Sequence, residues 1–107
     1  MVNRLPEGNV VVNIDFTVKK GMEEEFLNLV YYLIDNSVKE EGNLSYRVFK
    51  EERNTDSYVV IEHWESQSVL NRHLNMPHTV HYNENINKYL IGLPNRVELT
   101  RDNDSVE

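Results

Sequence analysis

The stretch VVVNIDFTVKKGMEEEFLNLVYYLIDNS, residues 10–37, changes its hydrophobic period once, and that change decides the fold. Val10, Val12, Ile14, Phe16 and Val18 share one side of the chain, while Val11, Asn13, Asp15 and Thr17 share the other. A period of two is a strand, here with one strongly apolar face. Lys19, Lys20 and Gly21 turn the chain. From Met22 the recurrence shifts to three and four, through Phe26, Leu29, Val30, Leu33 and Ser37, which predicts an amphipathic helix. Glu23, Glu24 and Glu25 crowd its first turn, where carboxylates favour the positive end of the helix dipole. Gly42 is the expected stop.

Beyond it, Leu44 to Glu51 reads as a second strand, with Leu44, Tyr46 and Val48 on one face. Asn54, Thr55 and Asp56 make a hairpin-like connection to a third strand, Ser57 to Trp64. That strand places Tyr58, Val60, Glu62 and Trp64 on one face and Val59, Ile61 and His63 on the other. With both faces mostly apolar, it belongs at the centre of a sheet. Ser66 can cap a short helix running to Asn75. Pro77 interrupts it and starts a further helical piece to about Leu90. Gly92, Leu93 and Pro94 break the chain before a last strand, Arg96 to Thr100, and Asp102 to Glu107 reads as a polar tail.

The order βαββαβ is the ferredoxin-like α+β arrangement, with both helices on one face of an antiparallel sheet. The other face would carry Val59, Ile61 and Phe49 beside Asn13, Asp15, Thr17 and His63. That mixture is too apolar for open solvent and too polar for a dry core, so a second copy packed sheet against sheet is expected, a homodimer.

The chain has 107 residues, the size of one domain with a core of about 10–100. With 11 Lys and Arg against 18 Asp and Glu, the net charge is -7, which argues against nucleic acid and polybasic membrane anchoring. No stretch approaches the roughly 18 apolar residues of a membrane span, and no apolar run of signal length stands at the start, so the cytoplasm is the expected location. Cysteine is absent, which removes disulfides, thiol nucleophiles and thiolate metal sites together.

The densest chemistry lies in Glu62, Trp64, His73, His78 and His81. His73 shares a helix face with Val69, Leu70 and Met76, so it points toward the third strand. Trp64 would then either stack on a planar ligand while His73 takes a proton, or pack with it as core. A carboxylate on an inward face must be paired or functional, and His73 is one candidate partner for Glu62. Tyr46 and Tyr32 could line a pocket, as could Ile14 and Phe16 on the apolar face of the first strand. His78 and His81, with Glu62 or Glu84, do not make an HExxH set, and no metal is expected.

EHWESQSVLNRHLNMPH, Glu62 to His78, resembles the E-x-W-x-S-x-x-x-L-x-x-H-x-x-x-x-H signature of the antibiotic biosynthesis monooxygenase domain. KEEGNLSYRVF, Lys39 to Phe49, is similar to that family's E-x-G-x-x-x-Y segment. The resemblance implies a dimeric α+β barrel. It further implies oxidation of a phenol, hydroquinone or polyketide-type aromatic by molecular oxygen, without flavin, haem or metal. By motif position, Trp64 and His73 would be the catalytic pair with His73 the base, Glu62 and His78 supporting, and Tyr46 lining the pocket. One branch of the family degrades haem using an Asn on the first strand. That position falls on Ile14 here, with Asn13 one residue away on the opposite face, which counts against haem. A branch acting on a phosphorylated signalling molecule and a non-catalytic, stress-related dimer binding a small aromatic remain the alternatives.

Overall fold

Alternation, capping and turn chemistry each produce the element they imply. The computed structural model describes residues 5–101. Its elements are β1 (Val10–Thr17), α1 (Glu23–Ser37), β2 (Asn43–Lys50), β3 (Ser57–Trp64), α2 (Gln67–Leu74), α3 (Pro77–Asn85), a 3-10 turn (Ile86–Tyr89) and β4 (Asn95–Thr100). The four strands form one antiparallel sheet in the order β2-β3-β1-β4, which puts β3 and β1 at its centre. This is the ferredoxin-like arrangement. The polar segment expected at 102–107 lies outside the described residues.

The inner face of the sheet carries Val10, Val12, Phe16, Tyr58, Val60 and Trp64, all buried beneath α1 and α2. Helix α1 contributes Phe26, Val30 and Leu33 to the same core, and its three first-turn glutamates lie at the positive end of its dipole. Each such buried side chain contributes about 1.5–3 kcal/mol relative to exposure. Ser66 caps α2 by accepting the Val69 N–H at 3.2 Å, and Pro77 opens α3, where its missing N–H costs no helical bond.

Two expectations need correction. Helix α1 ends at Ser37, five residues before Gly42. Gly42 instead holds a positive φ of 91° where the following loop presses on α2. A Cβ there would stand 2.6 Å from Val69 Cγ1, so only glycine allows the approach. Leu44 does not share the face of Tyr46. The β2–β3 register shifts between Asn43 and Ser45, and this bulge leaves Leu44 50% exposed.

Among the described residues, no layer covers the outer face. Phe49, Val97 and Leu99 are 45%, 42% and 52% exposed there. Val11, Asn13, Val59 and Ile61 are half-buried beside them. Among the described residues, no helix is long and apolar enough to cross a membrane.

Candidate functional site

A cavity of about 210 Å³ opens between the inner sheet face and the helices. Ile14 and Phe16 of β1, Tyr46 of β2 and Glu62 of β3 form its sheet wall, with Arg96 of β4 beside Ile14 in the strand register. Leu33 of α1, His73 of α2, and Thr79 and Tyr82 of α3 form the helical wall. A cavity of about 150 Å³ lined by apolar side chains accommodates benzene, so this volume suits one substituted ring.

Glu62 is 4% exposed, and β3 aims it inward because it shares the inner face with Val60 and Trp64. Burial raises its carboxyl from the usual 4.5 to about 7. Hydrogen bonds from the Trp64 indole and the Tyr46 hydroxyl, and then the Arg96 charge, partly offset that rise. The Trp64 Nε1–H donates to Glu62 Oε1 at 2.9 Å, and Tyr46 faces Glu62 directly in the β2–β3 register. Burial, followed by the Glu62 charge, also pushes the Tyr46 and Tyr82 hydroxyls above their ordinary range, so both are neutral donors at pH 7.

His73 is 2% exposed and shares a helix face with Leu70. Its Nδ1 lies 2.8 Å from Glu40 Oε2 and 3.3 Å from Thr79 Oγ1, while His78 Nε2 lies 2.6 Å from the same Glu40 oxygen. Desolvation lowers the His73 pKa below 6.5, against the opposing pull of Glu40. The ring is therefore mostly neutral near pH 7, which leaves it able to accept a proton.

The cavity brings together five residues expected from the sequence: Ile14, Phe16, Tyr46, Glu62 and His73. The other three lie outside its lining. Trp64, expected to stack on a ligand, is fully buried behind the wall, with its ring centroid 4.4 Å from that of His73. Its indole is taken up holding Glu62. His78 bonds Glu40 rather than the cavity. Tyr32 is 41% exposed and meets His81 edge-on, because its position on α1 faces away from the sheet. Glu62 and His73 are not each other's partners; each bonds a residue behind its own wall.

Glu40 is the main residue that reading the sequence for chemistry passed over, although it opens the E-x-G segment. Arg96, Thr79 and Tyr82 also went unnoticed, since each gains meaning only where three elements converge. Glu40, His73 and His78 have ligand atoms within 4.8 Å of one another, a set able to hold a divalent ion; Glu62, Glu84 and His81 do not join it. The N···O separations of 2.6 and 2.8 Å are hydrogen-bond lengths. They fall short of the about 3.3 Å between ligands bonded at about 2.0 Å to tetrahedral zinc. The cluster as it stands shares protons. For haem, the β1 register runs unbroken from Val10↔Trp64 to Thr17↔Ser57, so no bulge turns Asn13 inward and Ile14 keeps the cavity position.

A ferredoxin-like sheet and its helices thus close a ring-sized cavity around a neutral histidine and a buried carboxyl, which defines a small α+β domain with an enclosed polar site. The sequence matches the antibiotic biosynthesis monooxygenase family over residues 9–85, and the chain belongs to that family. YcnE of Bacillus subtilis, provisionally named a monooxygenase, is 29% identical over 69 residues, 64% of this chain and 73% of the relative. A conserved protein from Methanosarcina mazei superposes with a TM-score of 0.84 at 24% identity, covering 88% of this chain and 93% of that one. SnoaB, a cofactor-independent oxygenase from Streptomyces nogalater, superposes with a TM-score of 0.79 at 19% identity over 94% of this chain and 99% of its own. At these identities the two structures speak for the fold alone. Ile86, Pro94 and Arg96 of the cavity lie beyond the matched residues.

Proposed function

We propose that this chain is a cofactor-independent monooxygenase that oxidises a small phenol or hydroquinone with molecular oxygen as co-substrate. The observation that carries the reading is the convergence of His73 and Glu62 on one mostly apolar, ring-sized cavity. His73, neutral through desolvation, takes the phenol proton. The Arg96 cation and the Tyr82 hydroxyl, both on the cavity wall, stabilise the phenolate. The phenolate passes one electron to dioxygen, giving a phenoxyl radical and superoxide. These join at a hydrogen-bearing ring carbon ortho or para to the oxygen, and the peroxide takes back the proton and loses water together with that hydrogen, leaving the quinone. Phenol and dioxygen thus become quinone and one water, with the substrate as sole reductant. Burial keeps water from the radical pair.

Oxygen uptake by chelator-treated protein over a panel of phenols and hydroquinones tests this. His73→Ala should lower the rate about 100-fold or more, the range of a positioned general base. Absence of uptake across the panel with the unaltered protein overturns the reading.

The outer sheet face supports a homodimer, because it exposes Phe49 of β2 and Val97 and Leu99 of β4, with half-buried Val11, Val59 and Ile61 on the strands between them beside Asn13 and Asp15. Sedimentation should give twice the chain mass, and Leu99→Lys should shift it toward monomer. A monomer at micromolar concentration for the unaltered protein removes this part.

A further inference from the structure

One buried carboxylate, Glu40, has no part in the proton transfer at the cavity. The Glu40 side chain is 5% exposed, does not line the cavity, and is held by two histidines through a single oxygen. Its Oε1 is buried and has no hydrogen-bond partner among the described residues. A buried ionised group is costly unless its surroundings compensate for it, so the loop that carries Glu40 must be held there.

The structure shows how. Glu40 follows the end of α1, with its N–H donating to Ser37 O at 3.0 Å. Two residues later Gly42 seats against Val69 of α2, and Gly42 O accepts the Glu65 N–H at 2.8 Å. Arg72 of α2 donates from Nη2 to Glu41 O at 2.6 Å. Two contacts thus fasten the Glu40 loop to the helix that carries His73, and a third ties it to the turn that leads into that helix. The E-x-G spacing places the glycine where the loop must touch α2 and the glutamate where it meets the ring.

The consequence falls on the tautomer of His73. A neutral imidazole carries one N–H and one bare nitrogen, and its hydrogen bonds choose between them. Glu40 accepts only, so it selects a proton on Nδ1. Thr79 Oγ1, at 3.3 Å, can accept from the same position. Nε2 is then the bare, basic nitrogen on a residue that lines the cavity.

We infer that Glu40 is the positioning residue of this site: it holds His73 in the Nδ1–H tautomer, leaving Nε2 as the proton acceptor, and His78 in turn holds Glu40. The carboxylate also steadies the imidazolium formed when Nε2 takes a proton, the role an acidic partner has beside a catalytic histidine in other folds. The catalytic part of the inference rests on the monooxygenase reading; the tautomer does not.

Nitrogen-15 NMR of the imidazole rings, with His73 assigned by substitution, reads the tautomer directly at pH 8. The full chain should show His73 protonated at Nδ1 and bare at Nε2. Glu40→Gln places an amide N–H₂ within reach of the rings, so a population with the proton on Nε2 should appear. In the oxygen assay kcat should fall about 100-fold in that variant while KM changes less than about threefold, since Glu40 does not touch the ligand. A wild-type His73 protonated at Nε2 overturns the inference whether or not Glu40→Gln folds. An unchanged tautomer with unchanged kcat in Glu40→Gln overturns it as well. If no phenol is oxidised but the tautomer changes with Glu40, the monooxygenase reading falls and the positioning role stands.

Discussion

The cavity's two walls are built on one plan with opposite chemistry. On each, a buried titratable residue faces the cavity and a second residue stands behind it, out of reach of any ligand. On the sheet wall Glu62 is backed by Trp64, a neutral donor 2.9 Å away. On the helical wall His73 is backed by Glu40, an anionic acceptor 2.8 Å away. Desolvation disfavours the charged form of both, raising the carboxyl to about 7 and lowering the imidazole. The two groups therefore approach neutrality from opposite sides. What separates them is the backing residue. An indole N–H helps a carboxylate to ionise only modestly, whereas a carboxylate selects the tautomer of an imidazole and favours its protonation. The result is a pair in which one group is ready to accept a proton while the other still tends to hold one, as proton transfer near neutral pH requires.

The largest test of that contrast is a stability titration. The folded state holds Glu62 protonated up to about pH 7, whereas the unfolded chain releases that proton near 4.5. Protein folded at pH 4.5–7 thus binds more protons at this site than unfolded protein, and stability must fall as pH rises through the window. The loss across the whole window is on the order of 3 kcal/mol, about 1.4 kcal/mol for each pH unit. His73 acts in the other direction: its folded pKa lies below 6.5, so its contribution is lost as pH falls below that value. Glu62→Gln removes the first effect only. Denaturant unfolding from pH 5 to 8 should show the wild type losing stability relative to Glu62→Gln as pH rises. A constant difference between the two across that range would mean that Glu62 ionises normally and that the walls do not differ as described.

How much of this could be read from residues follows the same division. The sheet wall was legible because alternation fixes direction: once β3 is a strand, Glu62 and Trp64 point inward with Val60. Helix spacing likewise turned His73 toward the sheet. The function of Trp64 was not legible, because periodicity assigns a face but not depth; a side chain on the correct face can line a cavity or stand behind it. Glu40 was illegible for another reason. It sits in the connection after α1, where no period applies, and its partners His73 and His78 are 33 and 38 residues away. Gly42 carried the usable signal, since a glycine that does not stop a helix marks a close approach of backbone to something else. The Leu44 error has the same origin as most strand errors: a bulge resets the alternation without leaving a mark in composition.

A smaller effect tests whether Trp64 truly stands behind the wall. Trp64→Phe keeps an aromatic ring against His73 but deletes the donor to Glu62. A buried carboxylate that loses one hydrogen bond is destabilised by about 1–3 kcal/mol. Because the indole bond favours the charged form, its removal should move the Glu62 titration upward from about 7. Carbon-13 NMR of labelled glutamate follows that midpoint directly. The affinity for a phenol should change less than about threefold, since the indole makes no contact with the cavity. A drop in affinity of tenfold or more with the Glu62 midpoint unmoved would place the indole on the ligand instead. The contrast between a residue that faces the cavity and one that backs it would then collapse on the sheet side while surviving at Glu40.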